Sequence, residues 1–255
     1  MRELLIDVDQ PDEYMLNYIH DKIAAPVKAT GGLLALTNKG GRTKLGIAVK
    51  DECFNQINKA VKGVTAEVLA IGYKNRYLKE KIKIESDSLL GKTLINTMCV
   101  FDSNYDTNYI KRKINDLDVL ALDGCYNFRL IDVKKKWNEV VDLSNNYSGF
   151  LSERSVLYEF LSFLLDAIPC LSDTVTVVLD SEKKSFEMFN VKEKLMLKFS
   201  TFPDNYDVRE QILFNLVCFN PNLVRFCGDM EGLGVEFCEI INELFNVKEF
   251  LGVNV

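Results

Sequence analysis

The sequence predicts an α+β fold with a small N-terminal α/β unit over residues 1–50, a central helical body over 51–170 and a C-terminal small α/β sheet unit over 171–255. Three observations carry this. Short apolar and β-branched runs bounded by turn residues gather at the two ends of the chain. Residues 51–166 keep their apolar positions at helical spacing. The charge divides as well: residues 1–150 hold 22 basic and 20 acidic side chains, and residues 151–255 hold 9 and 17.

Residues 4–8 read as a strand. Pro11–Asp12–Glu13 opens a helix, with proline in the first turn and acids near the positive end of the dipole; Tyr14, Ile19 and Ile23 face inward. Thr30–Gly31–Gly32 breaks the chain. Residues 33–37 and 44–49 read as strands around a loose six-residue connector holding Gly40 and Gly41.

Helices are predicted over 52–62, 64–84, 87–101, 105–115, 132–147 and 152–168. Val61, Val64, Val68, Ile71, Leu78 and Ile82 follow three- and four-residue steps, with Asn75 in the missing place, which is an a/d seam. Gly63 and Gly72 lower the helix's independent stability, so the seam is expected to pack inside the chain. Helices 87–101 and 152–168 are its expected cover, with Lys74, Lys79, Lys81 and Lys83 exposed. Helix 152–168 is apolar around most of its circumference and is expected at the centre of the fold; Pro169 ends it. Residues 120–130 read as an ordered connector into the helix that carries Trp137.

Beyond Pro169 the order is strand 174–179, a turn, strands 185–190 and 195–199, and a helix opened by the Asp207–Glu210 capping box. A strand over 222–227, a helix over 233–245 and a strand over 247–251 follow.

Composition narrows the chemistry. The chain has 255 residues, 47% of them hydrophobic and 27% charged, which excludes collagen-like, disordered and disulfide-scaffold classes. A net charge of −6 argues against a dedicated binder of nucleic acid or of acidic membranes. His20 is the one histidine, so multi-histidine metal sites are excluded within a chain and any triad must run through it. No two of the seven cysteines lie closer than nine residues, so there is no CxxC pair, and most have apolar neighbours. A reduced, cytoplasmic protein is expected. The N-terminal apolar run is too short for a secretion signal, and Glu159 and Asp166 interrupt the most hydrophobic stretch, so no membrane span is expected.

Asp123–Gly124–Cys125–Tyr126–Asn127–Phe128–Arg129–Leu130–Ile131–Asp132 resembles the "DGF..FRLKDY" stretch of the YtxC-like sporulation protein family. Asn138 to Asp142, Tyr158–Glu159–Phe160–Leu161, the strand at Val175 and the Phe245–Asn246–Val247 ending follow that family's order. Cys125 stands where an aromatic is usual and Ile131 where a basic residue is usual. The resemblance covers about half the chain and implies a sporulation context without a reaction.

Candidate chemistry is sparse. Ser86 to Thr93 ends in Gly91–Lys92–Thr93 like a phosphate loop, but lacks the first glycine and a preceding strand. Asp7 and Asp9 at a strand end are the candidate carboxylates for a metal-dependent hydrolase, the least favoured reading. His20 beside Asp21 reads as a surface histidine. Lys74, Arg76, Lys79, Lys81 and Lys83, interleaved with Tyr73 and Tyr77, form a candidate interaction surface, which Lys111–Arg112–Lys113 and Lys134–Lys135–Lys136 extend. Arg129 is either a partner contact or one half of a partly buried pair with Glu159. The expectation is a non-catalytic module acting through an unidentified protein partner, without cofactor or metal; nucleic-acid association through the basic helix is the alternative.

Overall fold

The structure is a computed structural model that describes residues 1–82, 88–117, 119–146, 149, 153–180, 185–191, 194 and 206–250. The fold is α+β, with two four-stranded mixed sheets and a large helical content. In place of three consecutive regions, the chain divides into two interleaved units. One comprises Met1–Glu80 and Ser103–Val141; the other comprises Lys81–Asp102, Asp142–Ser200 and Asn205–Val255. The expected helical body is thus shared between two cores.

In the first unit, β1 (Arg2–Asp9) is followed by α1 (Glu13–Ala29), β2 (Leu33–Lys39) and β3 (Arg42–Val49). The expected six-residue connector is a two-residue hairpin turn, because Asn38 pairs with Thr43 and Lys39 with Arg42. Gly40 and Gly41 have φ of +64° and +74°, the two successive left-handed residues such a turn requires. β1 runs antiparallel to β3 and parallel to β4 (Val119–Ala121), giving the order β2-β3-β1-β4. β4 is a strand where a connector was expected. On one face Leu4, Ile6, Val8, Leu45, Ile47 and Val49 are buried with Met15, Leu16, Ile19, Ile23 and Val27 of α1. Gly32 fits beneath that layer; a Cβ there would lie 2.7 Å from Val49 Cγ1 and 2.9 Å from the Ala48 carbonyl oxygen.

α2 (Asp51–Glu67) runs through a π-helical segment, Val68–Tyr73, into α3 (Lys74–Lys81). Val68, Ile71 and Leu78 are buried, as the seam requires. Within this unit α1 and α5 (Ser103–Ile114) cover α2 and the π segment, whereas the expected covering helices belong to the other unit. The π segment widens the turn and breaks the a/d register. Every residue from Val68 to Asn75 is therefore buried, not one stripe of the helix. After β4, a short turn of helix, α6 (Leu122–Gly124), and a second π segment, Cys125–Arg129, lead into α7 (Ile131–Asn146), whose Trp137 is fully buried.

In the second unit, α4 (Leu89–Phe101) is the central helix, with Leu89 to Val100 buried except for Lys92. It packs against α8 (Arg154–Asp166), α9 (Val208–Phe219) and α10 (Val235–Leu244). This corrects the expectation for helix 152–168. α8 buries Leu157, Leu161, Leu164 and Leu165 but leaves Phe163 and Glu159 exposed, so it is amphipathic. The second sheet has the order β6-β5-β7-β8, from β5 (Thr174–Asp180), β6 (Ser185–Phe189), β7 (Leu223–Cys227) and β8 (Val247–Phe250). β5, β7 and β8 are parallel and β6 is antiparallel. Asn220, at φ 41° and ψ 62°, closes α9, and its Nδ2 donates to the carbonyls of Leu165 and Ile168. The expected strand over 195–199 lies outside the described residues. Among the described residues no helix is long and apolar enough to cross a membrane.

Candidate functional site

The charged residues singled out in the sequence collect in the first unit, mostly in structural roles. Asp7 and Asp9 point the same way on β1, two residues apart, opposite Lys44 and Arg42 at the start of β3. Arg42, first residue of β3, reaches back to them. Its Nε and Nη2 donate to Asp7 at 3.0 and 3.1 Å, and its Nη1 donates to Asp9 at 2.6 Å. Nη2 also donates to Asp123, just beyond β4, at 2.7 Å. One guanidinium thus fills the space among three carboxylates. The hydrogen bonds to Asp123 and Asp7 hold the Arg42 pKa above its ordinary value, although burial opposes them. Asp7 and Asp9, the carboxylates proposed for a hydrolase, are committed to this guanidinium. Among the described residues no group of three or more His, Cys, Asp or Glu side chains is placed to hold a metal ion.

A second knot forms at Asp12. Both of its oxygens accept from Arg76 Nη1 at 2.8 Å, and Tyr73 Oη donates to Oδ2 at 3.4 Å. The Arg76 guanidinium lies 4.7 Å from the Tyr73 ring centroid and 5.4 Å from that of Tyr126. Burial first, then the Asp12 charge, drives the Tyr73 hydroxyl pKa well above its usual value, so it stays a donor at all ordinary pH. Burial also pushes up the Cys125 thiol, opposed by the charge of Arg129.

The basic helix therefore departs from expectation. Lys74 is fully buried and donates to Asp106, because the π segment turns it into the core. Arg76 is half-buried on Asp12, Lys79 is half-buried, Lys81 is exposed, and Lys83 lies outside the described residues. Arg129 and Glu159 are each exposed on their own units, so neither is the desolvated group their pairing required. His20 is half-exposed, with Nδ1 3.0 Å from Asp21 Oδ1. Gly91, Lys92 and Thr93 lie inside α4. Ser88 caps that helix by accepting from the Gly91 N–H, Lys92 pairs with Glu210, and the Thr93 hydroxyl donates to the Leu89 carbonyl.

The sequence reading missed two features. The first is a cavity of about 420 Å³ at the carboxyl ends of β5 and β7, lined by Leu179, Asp180, Ser185, Asp207, Arg209, Asp229 and Leu233 among others. Open α/β sheets bind ligands at such a position. Several of its polar groups are already used. Asp207 caps α9 and pairs with Arg209, and Asp229 accepts from the Gly232 N–H.

The second is the open side of the first sheet. Opposite the α1 layer, Ala35, Gly46, Leu5 and Val119 form one row across all four strands, and Leu33, Ala48 and Glu3 form the next. Val119 is 60% exposed and Leu33 68%. The outermost strand, β2, has six of its seven residues exposed. The signal for it was present in Leu33–Leu34–Ala35–Leu36, an apolar run too long for an edge strand that faces water. No family model matches the chain, and no curated protein or solved structure matches it.

Proposed function

We propose that the chain is a non-catalytic protein-interaction module, and that it works in the cytoplasm of a sporulating cell. The observation that carries the interaction reading is the open edge strand β2, continuous with the apolar rows of Leu33, Ala35, Leu5 and Val119. An edge strand left unpaired is a template for another chain, and apolar side chains beside it supply the burial that holds such a chain. The absence of catalysis is supported by how the charges are used: Asp7, Asp9, Asp12, Asp106, Asp123 and Asp207 all accept hydrogen bonds inside the fold. The sporulation setting is supported by the resemblance of residues 123–132.

The test is affinity purification of the full chain from sporulating cells, with Val119→Glu and Leu36→Pro beside the wild type. A protein recovered in stoichiometric amount with the wild type and lost with either variant supports the reading. An identical set of proteins with all three overturns it.

Nucleic-acid association is a second reading, moved to other residues. Tyr105 and Tyr109 stack at 6.5 Å on α5, with Lys136 of α7 over both rings and Lys113 over Tyr109. Arg112 and Lys135 are exposed on the same two helices. Exposed cations interleaved with aromatic faces suit a single strand, although Asp132 accepts from Lys113 within the cluster. Salt-dependent binding of an oligonucleotide that is lost in a Lys113→Glu, Lys136→Glu double variant supports it, and no binding at low salt rejects it.

A further inference from the structure

We infer that β2 pairs with β2 of a second copy of this chain, antiparallel about a two-fold axis at Leu36, so that two four-stranded sheets become one sheet of eight. This inference rests on the interaction reading and names its partner.

The hairpin fixes which backbone groups face outward. Lys39 and Arg42 flank the two-residue turn, so they exchange both hydrogen bonds, and the same holds for Thr37, Ala35 and Leu33 with their partners on β3. The N–H and C=O groups of Leu34, Leu36 and Asn38 therefore point away from the sheet. Leu36 sits midway along the strand and is 39% exposed.

Among the described residues none of the usual edge protections is present. β2 holds no proline and no inward-pointing charge, and its one charged residue, Lys39, stands beside the turn.

Pairing about Leu36 uses the whole strand. Leu36 faces its own equivalent, and Leu34 faces Asn38 of the second copy. The three outward-facing positions then form about six hydrogen bonds between the chains. The two Lys39 side chains go to opposite ends. Each arrives opposite Leu33 of the other copy, on the row that also carries Ala48, so no like charges oppose across the seam. A foreign strand must supply this complementarity by chance; a second copy supplies it by symmetry. The strand is about 24 Å long, short for a stable interface, so dimerisation is expected to depend on concentration.

Sedimentation velocity on the full chain tests this, with three proteins. The wild type is expected to shift from monomer to dimer as concentration rises. Leu36→Pro is expected to stay monomeric with an unchanged circular dichroism spectrum, because the N–H it removes is not part of the β2–β3 ladder. Leu36→Cys, in a background where the exposed Cys170 is changed to serine, is expected to form a covalent dimer on oxidation. Cα atoms of a hydrogen-bonded antiparallel pair lie about 5.5 Å apart, within disulfide reach.

A dimer that persists in Leu36→Pro, or a Leu36→Cys protein that does not cross-link, overturns the inference. A wild type that stays monomeric yet holds a foreign protein in the affinity experiment overturns this inference alone. A monomer that holds nothing overturns the interaction reading with it.

Discussion

Lys74 Nζ lies 3.1 Å from Asp106 Oδ2 inside the first unit, and Trp137 Nε1 donates to the same oxygen at 2.8 Å. Lys74 has no solvent exposure and Asp106 almost none. The sequence marks Lys74 as one cation of a basic surface helix, whereas the fold uses it to neutralise a carboxylate that also anchors the core tryptophan. The π segment at Val68–Tyr73 makes this possible, because the extra residue in that turn swings Tyr73, Lys74 and Asn75 inward together.

Lys74→Met keeps the volume and removes the charge, leaving Asp106 buried with only a neutral donor. An uncompensated buried charge of this kind costs about 3 kcal/mol. Adding Asp106→Asn is expected to recover most of that loss, since the amide oxygen still accepts from Trp137. Urea unfolding of both variants is the measurement. A double variant as unstable as the single one shows that packing, not charge, is lost.

Arg42 joins β1, β3 and Asp123 of α6 through one side chain. Arg42→Ala leaves Asp7, Asp9 and Asp123 converging on an empty position, and the expected loss is about 2 kcal/mol, reduced from the fully buried case because Asp9 is exposed. Repulsion among partly solvated charges is screened by salt, so the deficit is expected to shrink as ionic strength rises. Arg42→Lys is expected to restore only part, because an ammonium cannot present a planar fork to several carboxylates. Thermal melts at low and high salt check both statements. A deficit that is equal at the two salt concentrations removes repulsion as its cause.

The elements that were legible in the sequence share a local cause. β1, β3, β5 and β7 announce themselves by alternating or β-branched residues, and α9 by the Asp207–Glu210 box, which the structure forms with both reciprocal hydrogen bonds. What the sequence hid depends on distant partners. β4 is three residues long and exists only because Leu5, Ile6 and Asp7 offer an unpaired side. The π segment has no propensity signal; Gly72 reads simply as a weak point in a helix. Burial of Lys74 requires Asp106, 32 residues away. The same limit applies to the candidate site. Exposure of Lys81 and Arg129 follows from local polarity, whereas the open face needs four strands to be brought into register before Leu5 and Val119 share a row.

The capping box of α9 carries a pH dependence whose sign follows from its contacts. The Asp207 carboxyl is held below its ordinary pKa. Burial works against that shift, but hydrogen bonds from Arg209 and from the Glu210 N–H outweigh it. A carboxyl whose pKa is lower in the folded state contributes stability that is fully present above its unfolded pKa. That contribution is lost as pH falls through the folded value. Asp207→Asn keeps an oxygen for the Glu210 N–H but carries no charge for Arg209 or for the helix dipole. At neutral pH the variant is therefore expected to be less stable than the wild type by about 0.5–1 kcal/mol, a range set by an exposed cap. As pH is lowered past the ordinary aspartate range the wild type loses the same increment, and the two stabilities converge. Urea midpoints measured from neutral to acid pH check this. Curves that stay parallel down to the acid limit show that the charge on Asp207 contributes nothing, and that the cap acts through its hydrogen bond alone.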